Sequence, residues 1–124
     1  MLHGDALTER IIGLAIEVHR HSGPGLLESA YEHCLCFELA QAGIPHQRQA
    51  PLSAIYKTMR VESAFRADIL VANEVIVELK AVERVLPVHE AQLLTYLRMT
   101  EYRVGLLMNF NMLRLKGGLQ RCVV

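Results

Sequence analysis

The stretch Arg66-Ala67-Asp68-Ile69-Leu70-Val71-Ala72-Asn73-Glu74-Val75-Ile76-Val77-Glu78-Leu79-Lys80 reads as a β-hairpin, and its register decides how the rest of the chain is read. With the turn centred on Asn73, Asp68 falls opposite Glu78, and Lys80 follows on the same face because strand side chains alternate with period two. The other face carries Ile69, Val71, Val75, Val77 and Leu79, all apolar, so a slip of one residue would bury the charges. Carboxylates opposed across a ladder repel, by up to roughly 1 kcal/mol, unless a positive charge lies between them. A divalent metal answers that need. The plainer alternative is the solvated side of a two-faced sheet. Leu70 and Ile76 share the charged face, however, which points to a partly covered cleft.

Outward from the hairpin, Leu7, Ile11, Leu14, Ala15 and Val18 recur at helical spacing and predict a first helix from Asp5 to His21, with Asp5 as its N-cap. Ser22-Gly23-Pro24-Gly25 breaks it. A second helix is expected from about Leu26 to Ala42, closed by Gly43 with Pro45 just beyond. An extended segment from His46 to Tyr56 and a turn near Lys57 and Thr58 lead into the hairpin, giving consecutive strands. Pro87 opens a third helix that continues to Thr100, since a proline in the first turn loses no needed hydrogen bond. Gly105 to Phe110 reads as a buried strand, and Gly117-Gly118 as a turn into a short final strand ending at Val124. The predicted order is α-α-β-β-β-α-β(-β), packed as one α/β layer structure, a single domain over residues 1–124.

Composition narrows the class. With 52% hydrophobic and 21% charged residues among 124, disorder is excluded. The 13 basic and 13 acidic residues cancel, so contact with a polyanion needs a local basic patch, a bound cation or dimerisation. Cys34, Cys36 and Cys122 form no Cys-x-x-Cys pair and no secretory signal opens the chain, so free, buried thiols in a reducing cytoplasm are expected. Apolar runs fall far short of the ~20 residues that span a bilayer, so no membrane partner is expected. The six histidines show no zinc spacing, and phosphate-loop and nucleophile-elbow sequences are missing.

Two helical constellations could join the hairpin. Glu28 lies in the first turn of the second helix with Tyr31 on the same face, offering a third carboxylate for hard divalent cations. Helix-dipole preference and core packing account equally for such a Glu and Tyr. Gln92 and Tyr96 share a face of the third helix, where an amide and a phenol could meet a phosphate if that helix packs back over the sheet. Alone, they would pass for helix-surface residues.

Taken together, Gly25-x-x-Glu28-x-x-Tyr31, Arg66-Ala67-Asp68, Val77-Glu78-Leu79-Lys80 and Gln92-x-x-x-Tyr96 resemble the GxxExxY protein family of the PD-(D/E)xK nuclease-like superfamily. The likeness extends to Ile16-Glu17-Val18-His19-Arg20, to Pro87 through Leu94 and to Leu106 through Asn111, nearly the whole chain. It implies a restriction-endonuclease-like core, a central mixed sheet of about four to five strands flanked by helices, with the site where the central strands diverge. The Gln-x-x-x-Tyr element is similar to that of the RecB-like branch. By the same resemblance Asp68 and Glu78 would hold Mg²⁺ or Mn²⁺, Glu28 would complete the shell, and Lys80 would orient or activate the attacking water. Gln92, Tyr96 and Tyr31 would be the substrate contacts. The implied activity is a metal-dependent nuclease, with DNA favoured over RNA and a homodimer plausible because a 14.0 kDa core grips little duplex. A catalytically inactive nuclease-fold module for nucleic-acid binding or assembly is the alternative.

Overall fold

A computed structural model of the chain describes residues 3–124, with side chains from Ala6 onward. The first helix, α1 (His3–Ser22), begins ahead of the expected Asp5 cap, and the Asp5 side chain lies outside the described residues. Its stripe follows the helical spacing: Ile11, Ala15 and Val18 are buried, with Leu7 and Leu14 packed beside them. The second helix, α2 (Glu28–Gln41), starts later than Leu26 because Gly25 sits at φ 111° and Leu27 is extended. Gly43, at φ 71°, closes it. Its N–H donates to the Ala40 carbonyl at 3.0 Å and the Ile44 N–H to the Leu39 carbonyl at 2.9 Å, satisfying the orphaned end of the helix.

Three strands follow, β1 (His46–Tyr56), β2 (Met59–Val71) and β3 (Val75–Lys80), then α3 (Pro87–Met99), β4 (Val104–Asn109) and β5 (Leu119–Val123). The Gly117-Gly118 turn forms as the end of a 3₁₀ turn over Leu115–Gly118. The sheet has five strands in the order β1-β2-β3-β4-β5. It is mixed: β3 and β4 run parallel from Val75↔Val104 to Lys80↔Asn109, with α3 as their crossover, and the other pairs are antiparallel.

Helices cover both faces. Ile11, Ala15, Tyr31, Leu35 and Leu39 of the first two helices pack on Ile69, Val71, Val75, Val77 and Leu79, the apolar hairpin face. Leu93 and Leu97 of α3 cover Leu70, Ile76 and Leu107 on the other. The parallel pair is therefore buried on both sides, which is why β3 and β4 read as nearly continuous apolar runs. Gly105 lets α3 come this close: a Cβ there would lie 2.8 Å from Leu93 Cδ1. All three cysteines are free, but only Cys122 is buried; Cys34 and Cys36 are half-buried on α2. Burial, and next the Glu32 carboxylate, push the Cys36 thiol up to about 11, so it is an inert thiol. Among the described residues no helix is long and apolar enough to cross a membrane.

Candidate active site

The β2–β3 pairing has the register centred on Asn73, running Val71↔Val75, Leu70↔Ile76 and Ile69↔Val77, and it stops there. One step further the strands part, and side chains replace the missing ladder bonds. The Asp68 N–H donates to Glu78 Oε2 at 2.8 Å, and the Leu79 N–H donates to Asp68 Oδ2 at 2.8 Å. Two carboxylates thus fill the opening, each tied to backbone by one oxygen.

Alternation also breaks at Asp68. Ala67 and Leu70 pack toward α3 whereas Ile69 packs toward α1 and α2. On the neighbouring strand Gln49, between the paired residues Arg48↔Ile69 and Ala50↔Ala67, adopts φ 52°. Such a kink re-aims side chains where a regular strand could not. It brings Gln49 Nε2 to 3.4 Å from Asp68 Oδ1 and 2.6 Å from Glu32 Oε1, while Arg48 Nη1 lies 2.6 Å from Glu32 Oε2.

Glu32 is the residue that sequence reasoning missed. It is 4% exposed on α2, and it links that helix through Gln49 to Asp68. Its signal was present: Glu32 lies on the same stripe as buried Leu35 and Leu39, and a charge on an apolar helix stripe needs a partner. Asn109, 2% exposed, was read only as strand. Its amide donates to the Val82 carbonyl at 2.9 Å and accepts the Val82 N–H at 3.1 Å, fixing the chain just after Lys80.

The electrostatics follow from burial without enough positive charge. Glu78, 8% exposed, has its carboxyl raised to about 8, by burial first and then by the Asp68 charge, with Lys80 opposing. Asp68 is raised by burial and by Glu32, against the Leu79 N–H, Lys80 and Gln49. Lys80 is half-buried at the end of β3 and makes no ion pair within 4.0 Å among the described residues, so it acts on the pair at longer range.

The helix α3 does fold back over this region. Gln92 Nε2 donates to the Tyr96 hydroxyl at 2.7 Å, and Tyr96 stacks on Phe65 at 3.9 Å and 6°. The Tyr96 phenol is raised by burial and then by the Glu78 charge, with the Gln92 hydrogen bond opposing.

Glu28 and Tyr31 do not join them in the same way. Glu28 is exposed and accepts the Ala81 N–H at 3.4 Å, at the rim just past Lys80. Tyr31 has no exposed surface, so it offers nothing to a substrate. It stacks on Phe110 at 4.5 Å, and its hydroxyl donates to the Gly23 carbonyl at 2.6 Å and accepts the Leu26 N–H at 3.1 Å. It braces the loop that carries Glu28.

No group of three or more His, Cys, Asp or Glu is gathered to hold a metal ion among the described residues; Glu28 meets the Ala81 N–H, and Glu32 is engaged by Arg48 and Gln49. What remains is the Asp68–Glu78 pair. It fits a hard divalent cation in chemistry: two carboxylates, each bound to backbone through one oxygen only, with raised carboxyl pKa values that a cation would lower.

A family model described as the PD-(D/E)XK nuclease superfamily matches residues 5–122. Comparison with curated proteins and with solved structures gives no match. The match spans almost the whole chain, and the five-stranded mixed sheet with helices on both faces agrees with a restriction-endonuclease-like fold, so the chain belongs to the PD-(D/E)XK nuclease superfamily.

Proposed function

We propose that this protein is a Mg²⁺- or Mn²⁺-dependent nuclease that hydrolyses phosphodiester bonds, with DNA favoured over RNA. Within the superfamily it is read as a GxxExxY member of the RecB-like branch, acting in the cytoplasm. The observation that supports the reading best is the pairing of buried Glu78 with half-buried Asp68 in the opening between β2 and β3, held by backbone N–H groups and short of positive charge.

A phosphodiester repels an anionic nucleophile, so hydrolysis needs charge withdrawn from the phosphoryl oxygen, a positioned water and stabilisation of the leaving oxygen. When bound, the cation supplies the charge withdrawal. Asp68 and Glu78 would hold it, each through the oxygen not committed to a backbone N–H. The Lys80 ammonium, on the same strand two residues after Glu78, donates hydrogen bonds that orient the attacking water and stabilise developing negative charge. Gln92 and Tyr96, joined to each other on α3, would contact substrate phosphate. Glu28, at the rim, orders water near Lys80 rather than closing the metal shell.

The test is incubation of the purified protein with labelled single- and double-stranded DNA and RNA, with Mg²⁺, Mn²⁺ or EDTA. Cleavage is expected with metal alone, and Glu78→Ala and Lys80→Ala are expected to lower it by at least ~10²-fold. Activity that survives both substitutions, or no cleavage in any combination, overturns the proposal. The lack of any group of three metal-ligating side chains among the described residues favours a second reading, a nuclease-fold module that binds nucleic acid, or assembles as a homodimer, without turnover. That reading expects binding unaffected by Glu78→Ala.

A further inference from the structure

We infer that the concavity between β1 and β2 beside Asp68 is a subsite for one unstacked nucleotide, so that the substrate is single-stranded or locally opened nucleic acid; this rests on the nuclease reading above. The concavity is about 420 Å³ and is lined by Gln49, Pro51, Ser63, Phe65 and Arg66. That volume lies in the range of small-ligand pockets and is far too small for a duplex.

Backbone irregularity makes it. Gln49 at φ 52° and Ser63 at φ 48° both line the hollow, and the strand register shifts between Leu52 and Ala54. A regular two-stranded ribbon has no such depression.

The hollow is joined to Asp68 through Gln49 and to α3 through Phe65. Gln49 lines it and also reaches Asp68 Oδ1 at 3.4 Å. Phe65 lines it and stacks on Tyr96, whose hydroxyl is held by Gln92. A group seated there is therefore one side chain, Gln49, away from Asp68.

Its chemistry suits a nucleotide. Pro51 and Phe65 supply apolar surface for a base, and the Ser63 hydroxyl and the oxygen of the Gln49 amide, whose N–H groups are held by Glu32 and Asp68, supply hydrogen bonds for its edge. Arg66, paired across the ladder with Pro51, is exposed and makes no ion pair with a described carboxylate. Its guanidinium suits one phosphate. The hollow itself offers one cation, whereas gripping a duplex takes contacts to many phosphates. A base inside a duplex has both faces covered and must be unstacked to enter a pocket, a cost that single strands largely escape.

The experiment measures binding without cleavage, in Ca²⁺, of a 2-aminopurine-labelled single-stranded oligodeoxynucleotide and of the same sequence as a blunt duplex. The single strand is expected to bind at least ~10-fold tighter, with a salt slope of about −0.7 to −1.5, the value for one or two phosphates. Arg66→Glu is expected to weaken single-strand binding at least ~10-fold while leaving Mn²⁺ affinity and melting temperature unchanged. Equal affinity for both forms, or an Arg66→Glu variant that binds the single strand as well as the parent, overturns the subsite. In that case Lys80-dependent duplex cleavage in Mn²⁺ leaves the nuclease reading standing. If the protein binds neither oligonucleotide nor Mn²⁺, both fall.

Discussion

Replacing Glu78 by glutamine is expected to stabilise the metal-free protein at alkaline pH while abolishing its chemistry. Glu78 titrates near 8 in the folded chain against an ordinary value of 4.5, chiefly because burial and the neighbouring Asp68 disfavour its charge. A raised folded-state pKa means that the folded protein holds its proton more tightly than the unfolded chain. The associated stability is fully present below about 4.5, declines as pH rises, and is lost above about 8. At about 1.36 kcal/mol per unit, the upper limit of the loss is on the order of 5 kcal/mol. Water entering the opening once both carboxylates ionise lowers the recoverable part to on the order of 2–3 kcal/mol. Glutamine keeps an oxygen for the Asp68 N–H and carries no charge, so Glu78→Gln recovers that part. Urea and thermal unfolding in EDTA at pH 5, 7 and 9 measure it. The variant and the parent should coincide near pH 5 and separate by roughly 10 °C at pH 9. Adding Mn²⁺ at pH 8 to 100 times its dissociation constant should return about 2.7 kcal/mol to the parent. A parent-minus-variant difference that does not change with pH refutes the reasoning.

Three further outcomes are expected. Glu32→Ala should cost on the order of 2–3 kcal/mol in denaturant unfolding, because it strips a buried carboxylate from Arg48 and Gln49 and loosens Asp68; Glu32→Gln should cost less. Gly105→Ala should cost about 1–3 kcal/mol, since the added Cβ meets Leu93 at 2.8 Å and pushes α3 outward, and any nuclease activity should fall because Gln92 and Tyr96 move with that helix. Tyr31→Phe should lower stability by about 1–2 kcal/mol through loss of the Gly23 and Leu26 hydrogen bonds. Steady-state kinetics of that variant should show an unchanged KM, which a substrate-binding Tyr31 would not allow.

Much of the site is legible in the sequence because alternation holds along the hairpin from Ile69 to Leu79. Only one register of the hairpin puts Ile69, Val71, Val75, Val77 and Leu79 together, and that register sets Asp68 against Glu78. Leu70 and Ile76 on the charged face likewise announce a cover, which α3 supplies through Leu93 and Leu97. Alternation does not reveal that the ladder stops after Ile69↔Val77, since a pattern of side chains is the same whether two strands stay paired or open. The pairing of Glu28 with Tyr31 misleads for a related reason. Helical spacing places both on one face, but it does not say that Tyr31 turns its hydroxyl to the Gly23 carbonyl while Glu28 stays exposed at the rim.

The amino-acid sequence alone determined the order of elements, the hairpin register about Asn73, the Gly43 stop of α2 and the carboxylates that face each other. These depend on local periodicity and on backbone conformations only a few residues long. The tertiary structure decided which groups surround those carboxylates: Glu32 through Gln49, Tyr96 on α3, and the hollow lined by Phe65 and Arg66. A residue's own neighbours in sequence fix which way its side chain points, whereas what meets it there depends on how closely a distant element can approach, and here that distance was set by a missing Cβ at Gly105 and a kink at Gln49.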